Sequence, residues 1–182
     1  MKRRAVFVDR DGVLNRAVVR DGKPYPPANV FEVEILPGVA EALQRLKDAG
    51  FVLIVVSNQP DVARGTTPRE TVEAINAYLA SRLPVDRFIM CYHDSEYGCD
   101  CRKPRPGMLL AGAGEFDVDL ASSYMVGDRW RDVEAGIAAG CRTFFIDYGY
   151  DEKQPQSSSL NVSSLHEAAL IILNGDRNEK NR

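Results

Sequence analysis

Short apolar runs alternate with longer amphipathic stretches along this chain. Ala5–Val8, Phe51–Val56, Phe88–Met90, Tyr124–Val126 and Thr143–Ile146 are apolar at nearly every position, not at every second one. Strands of that kind are buried on both faces, as in a parallel sheet covered by helices. Between them, apolar residues recur at helical spacing from Val39 to Ala49 and stop at Gly50, a residue suited to the left-handed conformation in which helices end. Further helices are predicted after Thr67-Pro68 as far as Arg82, after Arg105-Pro106, and from Asp132 to Ala139 before Gly140. The alternation predicts an α/β fold with a doubly wound, mainly parallel sheet, in which ligands gather at the carboxyl ends of the strands.

Two connections interrupt the alternation. Residues 16–37 are rich in proline and charge and are expected to form a flap beside the substrate; residues 91–106 carry three cysteines and a histidine. Residues 151–159 read as polar loop, 162–173 as a last strand and helix, and 174–182 as a frayed tail. No internal repeat or linker divides the sequence, so residues 1–182 read as a single domain with one core.

Charge and cysteine content narrow the function classes. Lys and Arg total 23 against 26 Asp and Glu, a formal charge of -3. That balance argues against a nucleic-acid partner or a membrane surface. No apolar run approaches the ~20 residues that span a bilayer, and Ala5–Val8 is too short for a signal peptide, so a cytoplasmic protein, a monomer or weak oligomer, is expected. A disulfide scaffold belongs to small secreted chains. In a reducing compartment, the cluster Cys91, His93, Cys99 and Cys101 points instead to metal, with buried free cysteines and an exposed His as the alternative. Cys141 reads as a small core residue, Trp130 as packing or rim, and His166 as a surface residue on the last helix.

The chemistry sits at predicted strand ends. Asp9 and Asp11 follow the first strand, Ser57 and Asn58 the second, and Asp128 and Asp132 the run Tyr124–Val126; Arg102 and Lys103 precede a helix. One acidic turn alone could be ordinary Asp-Gly turn chemistry. Together, carboxylates, hydroxyl and amide donors, and a lysine supply what phosphoryl transfer needs: a nucleophile, donors to the transferring group and neutralising charge. A phosphate dianion is repelled by clustered carboxylates unless a cation such as Mg²⁺ lies between them.

Asp9-x-Asp11-Gly12, Ser57-Asn58, Lys103-Pro104 and Gly127-Asp128-x-x-x-Asp132 resemble, in order, the four motifs of the haloacid dehalogenase superfamily. The resemblance implies a Rossmann-like fold with a minimal cap and a Mg²⁺-dependent phosphatase. In it Asp9 attacks phosphorus, Asp11 acts as general acid and then base, and Ser57 and Lys103 hold the phosphoryl oxygens. Mg²⁺ would be held by Asp9, the backbone carbonyl of Asp11, and Asp128, with Asp132 supporting the metal shell or orienting Lys103.

The run Cys91-x-His93…Cys99-Asp100-Cys101-Arg102-Lys103-Pro104 resembles one branch of that superfamily, the heptose bisphosphate phosphatases, which includes histidinol phosphatases. It implies a structural Zn²⁺ on Cys91, His93, Cys99 and Cys101 that holds the loop delivering Arg102 and Lys103. It also implies a small phosphorylated sugar as substrate, the 7-phosphate of D-glycero-D-manno-heptose 1,7-bisphosphate being removed. Asn58, Arg64, Arg102 and Arg129 are the candidate substrate-binding residues, with solvated surface charge the alternative for each arginine. Histidinol phosphate or another sugar phosphate is the alternative substrate, and a non-catalytic zinc-stabilised binding module the distant one. Departures from the branch fall at the substrate rim: Pro60-Asp61, a five-residue gap between His93 and Cys99, and the length of 16–37.

Overall fold

The computed structural model describes residues 2–180, with side chains described through 175. In chain order the elements are β1 (Ala5–Val8), β2 (Val18–Arg20), β3 (Lys23–Tyr25), α1 (Val39–Asp48), β4 (Val52–Asn58), α2 (Arg69–Ala80) and β5 (Arg87–Cys91). They continue with α3 (Gly107–Phe116), β6 (Tyr124–Gly127), α4 (Trp130–Ala139), β7 (Arg142–Ile146), β8 (Leu160–Val162) and α5 (Leu165–Lys180).

Six strands form one parallel sheet in the order β5-β4-β1-β6-β7-β8. One apolar layer joins Val6, Val8, Leu53, Val55 and Val126 to α1, α2 and α5. The other joins Ala5, Phe7, Ile54, Val56 and Met125 to α3 and Ala135 of α4. Each strand thus sends alternate residues to opposite cores, which is why the runs lack polar alternation. From β1 the chain passes to β4 on one side and later to β6 on the other, so β1 ends at a topological switch point where a crevice opens. Asp9 is the first residue past that end.

The structure departs from the sequence expectations at four places. Strand β4 extends through Ser57 and Asn58, because both pair with β5 at Met90 and Cys91. The 16–37 connection contains an antiparallel hairpin, β2-β3, whose turn places Asp21 at φ 49° and Gly22 at φ 72°. Such a turn matches the strand twist, but three-residue strands facing solvent leave no apolar run to detect. Helix α5 continues to Lys180, so a tail beginning at 174 is not what forms; residues 181 and 182 lie outside the described residues. His166 is half-buried against Gly38 instead of lying on the surface, with Nδ1 lacking a hydrogen-bond partner. Cys141 is buried, as expected, and burial raises its thiol pKa to about 12. Among the described residues, no helix is long and apolar enough to cross a membrane.

Candidate active site

A cavity of about 250 Å³ opens over the carboxyl ends of β1 and β4. Its walls include Asp9, Asp11, Ser57, Asn58, Lys103 and Asp132, and the hairpin contributes Lys23 to Pro26 as one side. The 16–37 flap therefore borders the pocket.

Lys103 is the centre of its charge arrangement. Its Nζ donates to Asp9 Oδ1 at 3.0 Å and to the Val56 carbonyl at 2.7 Å, and pairs with Asp132 Oδ1 at 2.6 Å. Asp132 Oδ2 meanwhile accepts from the Arg129 backbone N–H at the start of α4. Both oxygens of Asp132 are engaged, which suits orienting Lys103. Asn58, expected among the substrate-binding residues, holds the backbone of Lys103 on both sides: Oδ1 accepts from its N–H and Nδ2 donates to its carbonyl, each at 3.0 Å. The peptide bond between Lys103 and Pro104 is cis.

Oxygens of Asp9, Asp128 and Asp132 lie within 4.8 Å of one another. Burial raises the Asp9 pKa to about 6 against the opposing pull of Lys103, with Asp132 and Asp11 adding to the rise. Burial likewise raises Asp128 well above its ordinary value, reinforced by Asp9 and Asp132. Asp128 Oδ1 is buried with no hydrogen-bond partner, while Oδ2 accepts from the Tyr150 hydroxyl at 3.0 Å. A buried carboxylate oxygen without a donor is costly. It is accounted for if a cation occupies the space between Asp128 and Asp9, and the all-oxygen donor set suits Mg²⁺. Gly12 makes the close approach possible: at φ 88°, a Cβ there would fall 1.8 Å from Asp128 Oδ2. The Asp11 side chain is not in this acidic group. It turns to Arg10, Asn15 and Gln59. Ser57 Oγ is buried and accepts from Gln59 Nε2 at 3.0 Å.

The second predicted cluster also assembles. Sγ of Cys101 lies 3.1 Å from Cys91 Sγ and 3.4 Å from Cys99 Sγ, and the Cys91–Cys99 separation is 3.7 Å. His93 Nδ1 lies 3.3 Å from Cys101 and 3.8 Å from Cys91. A tetrahedral ion with Zn–S bonds of ~2.3 Å requires sulfur separations of roughly 3.8 Å, so four free ligands stand close to the corners of such a shell. Burial raises the Cys91 and Cys101 thiols; Cys99, although burial opposes it, is brought down to about 7 by hydrogen bonds led by that from Cys101. Four ligands fill a tetrahedral shell, which makes a structural site and not a catalytic one. Arg105 supports the loop by donating to the carbonyls of Gly98 and Cys99.

The four expected substrate-binding residues differ in what is left free. Arg64 is forked onto Asp94 at 2.6 and 2.9 Å and reaches Asp61 at 3.2 Å. Arg129 is forked onto Glu152 through Nε and Nη2. Among the described residues, Arg102 donates only to the His93 carbonyl, at 3.2 Å. Asn58 is engaged with Lys103 as described. Sequence reasoning missed Lys23 and Arg131, which also line the cavity. Arg131 stands 3.5 Å from Glu152, sharing that one carboxylate with Arg129. Its pKa is lowered by burial and then by the neighbouring Arg129 and Arg102 charges. Lys23 has no carboxylate partner among the described residues. A second arginine two positions after Arg129 was the only sequence signal for Arg131, and Lys23 had none beyond its place in the flap. The Trp130 ring carries two cations, Arg131 Cζ at 4.6 Å and Lys153 Nζ at 3.6 Å from its centroid.

A family model described as HAD-hydrolase-like matches residues 100–168. The D-glycero-β-D-manno-heptose-1,7-bisphosphate 7-phosphatase of Pseudomonas putida is 34% identical over 156 residues, covering 81% of this chain and 85% of its own. The enzyme of the same name from Escherichia coli K12 is 38% identical over 151 residues, 76% of each chain. The crystal structure of D,D-heptose 1,7-bisphosphate phosphatase from Bordetella bronchiseptica, complexed with magnesium and phosphate, superposes with a TM-score of 0.81. It is 32% identical and covers 94% of this chain and 99% of its own.

Proposed function

Because this chain belongs to the haloacid dehalogenase-like hydrolases, in the branch of the heptose bisphosphate phosphatases, we propose that it hydrolyses the 7-phosphate of D-glycero-D-manno-heptose 1,7-bisphosphate. The observation that carries the substrate is the charge left over in the pocket. Lys103 is shared by Asp9 and Asp132, and Arg64 by Asp61 and Asp94, so neither of these cations is spare. Glu152 is shared between Arg129 and Arg131, while Lys23 and Arg102 face the cavity with no carboxylate of their own. Clustered cations in a partly dry cleft favour an anionic ligand. A substrate with a second phosphate relieves that repulsion; histidinol phosphate, which carries an amine, adds to it.

In this reading a carboxylate oxygen of Asp9 attacks phosphorus opposite the sugar oxygen. The ester P–O bond breaks as Asp11 delivers a proton to the departing alcohol, leaving the phosphoryl group on Asp9. Asp11 then takes a proton from the water that attacks this acyl phosphate, and phosphate leaves with Asp9 restored. Lys103 balances charge on Asp9 and the phosphoryl oxygens, held in place by Asp132 and the Asn58 clamp. Ser57 donates its hydroxyl hydrogen to a phosphoryl oxygen while its Oγ accepts from Gln59 Nε2. Mg²⁺, bound by Asp9, Asp128 and the Asp11 carbonyl, would neutralise the incoming dianion beside these carboxylates. Zn²⁺ on the four Cys/His ligands would fix the segment that carries Arg102 and Lys103.

The test is a kinetic panel: heptose 1,7-bisphosphate, both anomers, the corresponding 7-monophosphate, and histidinol phosphate. The highest kcat/KM is expected for the bisphosphate. A higher value for histidinol phosphate would reverse the assignment, and no Mg²⁺-dependent turnover of any ester would remove the enzyme reading altogether.

A further inference from the structure

Arg10 lies between the two aspartates that begin the site, and among the described residues it is the largest side chain that is fully buried. A guanidinium does not lose its charge in a protein, so one enclosed at 0% exposure must be matched by hydrogen-bonding partners or the fold is heavily destabilised. Among the described residues its one carboxylate partner is Asp11: Nε donates to Oδ1 at 3.2 Å and Nη2 to Oδ2 at 3.0 Å, a two-pronged pair that fixes the plane of the carboxylate as well as its position. The remaining arm, Nη1, donates to Oδ1 of Asn76 on α2 at 3.0 Å. The Arg10 carbonyl accepts from Leu14 and Asn15, closing the turn that carries Asp11.

Two other donors complete the arrangement. Asn15 Nδ2 reaches Asp11 Oδ1 at 3.0 Å, and Gln59 Nε2 reaches Oδ2 at 2.8 Å. A carboxylate offers about four acceptor positions, and four N–H groups occupy them here. For Asp11 to pass a proton, one donor must withdraw. Gln59 lines the cavity, whereas Arg10 and Asn15 are enclosed behind it.

We propose that Arg10, braced by Asn76, is a positioning residue for the general acid–base step. Its guanidinium holds Asp11 in one orientation from behind while the pocket-side oxygen exchanges Gln59 for the leaving oxygen or the attacking water. The inference rests on Asp11 being the general acid and base. Arg10 touches no substrate; it acts through Asp11 alone.

The leaving group supplies a test that a merely structural role would not pass. When the 7-phosphoryl group passes to Asp9, the heptose O7 departs as an alkoxide unless protonated, whereas p-nitrophenyl phosphate releases p-nitrophenolate, a stable anion that needs no acid. In rapid-quench experiments, Arg10→Met is expected to slow the first phosphoryl transfer from the bisphosphate about 100-fold, within the usual range of acid–base contributions. The first-turnover release of p-nitrophenol should stay within about threefold of wild type, and Arg10→Lys, which keeps charge but not the fork, should recover part of the loss. If Arg10→Met does not fold, Arg10→Lys carries the test alone, with a selective loss of about tenfold expected. Equal slowing of both esters, or slowing of neither, in a folded variant overturns the inference. Asp11→Asn is the control: discrimination there without discrimination in the Arg10 variants overturns the role of Arg10 only, while its absence there overturns the role of Asp11 and this inference with it.

Discussion

Lys103 and Asp132 form a buried ion pair at 2.6 Å, each side chain only 2% exposed, joining the residue before a proline in the metal-loop segment to the first turn of α4. Asp9 shares the same ammonium. Lys103 is therefore placed by two carboxylates and a carbonyl, and its pKa, though burial pulls it down, is raised by Asp132 and then Asp9.

Asp132→Asn should be costly for both fold and chemistry. Removing one partner of a buried pair destabilises by about 3–5 kcal/mol, and the remaining Asp9 contact limits the loss to the lower part of that range. Denaturant unfolding should show the loss, and kcat should fall with little change in KM because Lys103 is no longer aimed. A stability within about 0.5 kcal/mol of wild type would mean that the pair contributes nothing net.

Proton and cation compete for Asp9 and Asp128. Their folded pKa values are raised, to about 6 for Asp9, so the ionised forms are disfavoured in the metal-free fold. The sign follows from linkage: for Asp9 that destabilisation is fully present well above pH 6 and is relieved as the pH falls through 6 toward the unfolded value near 4, and Asp128 acts in the same direction. With zinc retained and Mg²⁺ withheld, the melting temperature should carry a stabilising contribution between pH 7 and 5 that saturating Mg²⁺ abolishes. Calorimetric Mg²⁺ affinity should weaken over the same interval, with proton release on binding; a pH-independent affinity would contradict the two shifts.

Cys99→Ser should lose zinc before it loses anything else. Three ligands hold a structural ion far less well than four, and Arg102 and Lys103 follow within four residues. Purified variant is expected to contain well under one zinc per chain, to melt lower, and to turn over more slowly. Full zinc occupancy would sink the assignment.

Arg131→Gln tests whether the cations that share Glu152 receive a second phosphate, separately from the chemistry. A charge-assisted hydrogen bond contributes about 1.5–3 kcal/mol, so KM for heptose 1,7-bisphosphate should rise at least about tenfold with kcat nearly unchanged. Turnover of p-nitrophenyl phosphate, which has no second phosphate, should be unaffected. A parallel loss on both substrates would return Arg131 to a structural role beside Trp130 and Glu152.

The sequence alone determined the sheet and the chemistry at its edge. Apolar runs without alternation reported burial on both faces, and what followed each run, Asp9, Ser57 and Asp128, reported what the strand ends carry. The cysteine and histidine spacing reported a compact four-ligand group because its members lie close along the chain. Only the tertiary structure decided which charges remain free. Arg64 and Arg129 are sequence neighbours of the site but are neutralised by Asp94 and Glu152, from segments 30 and 23 residues away. Asn58 turned to the backbone of Lys103, 45 residues on. Arg10 looked like a spacer between two aspartates until Asn76, 66 residues distant, was seen to hold its far end. A local pattern reports which chemical groups are present and which face is buried; pairing between distant charges is fixed only when packing brings their segments together, and that decides whether each charge is available to a substrate.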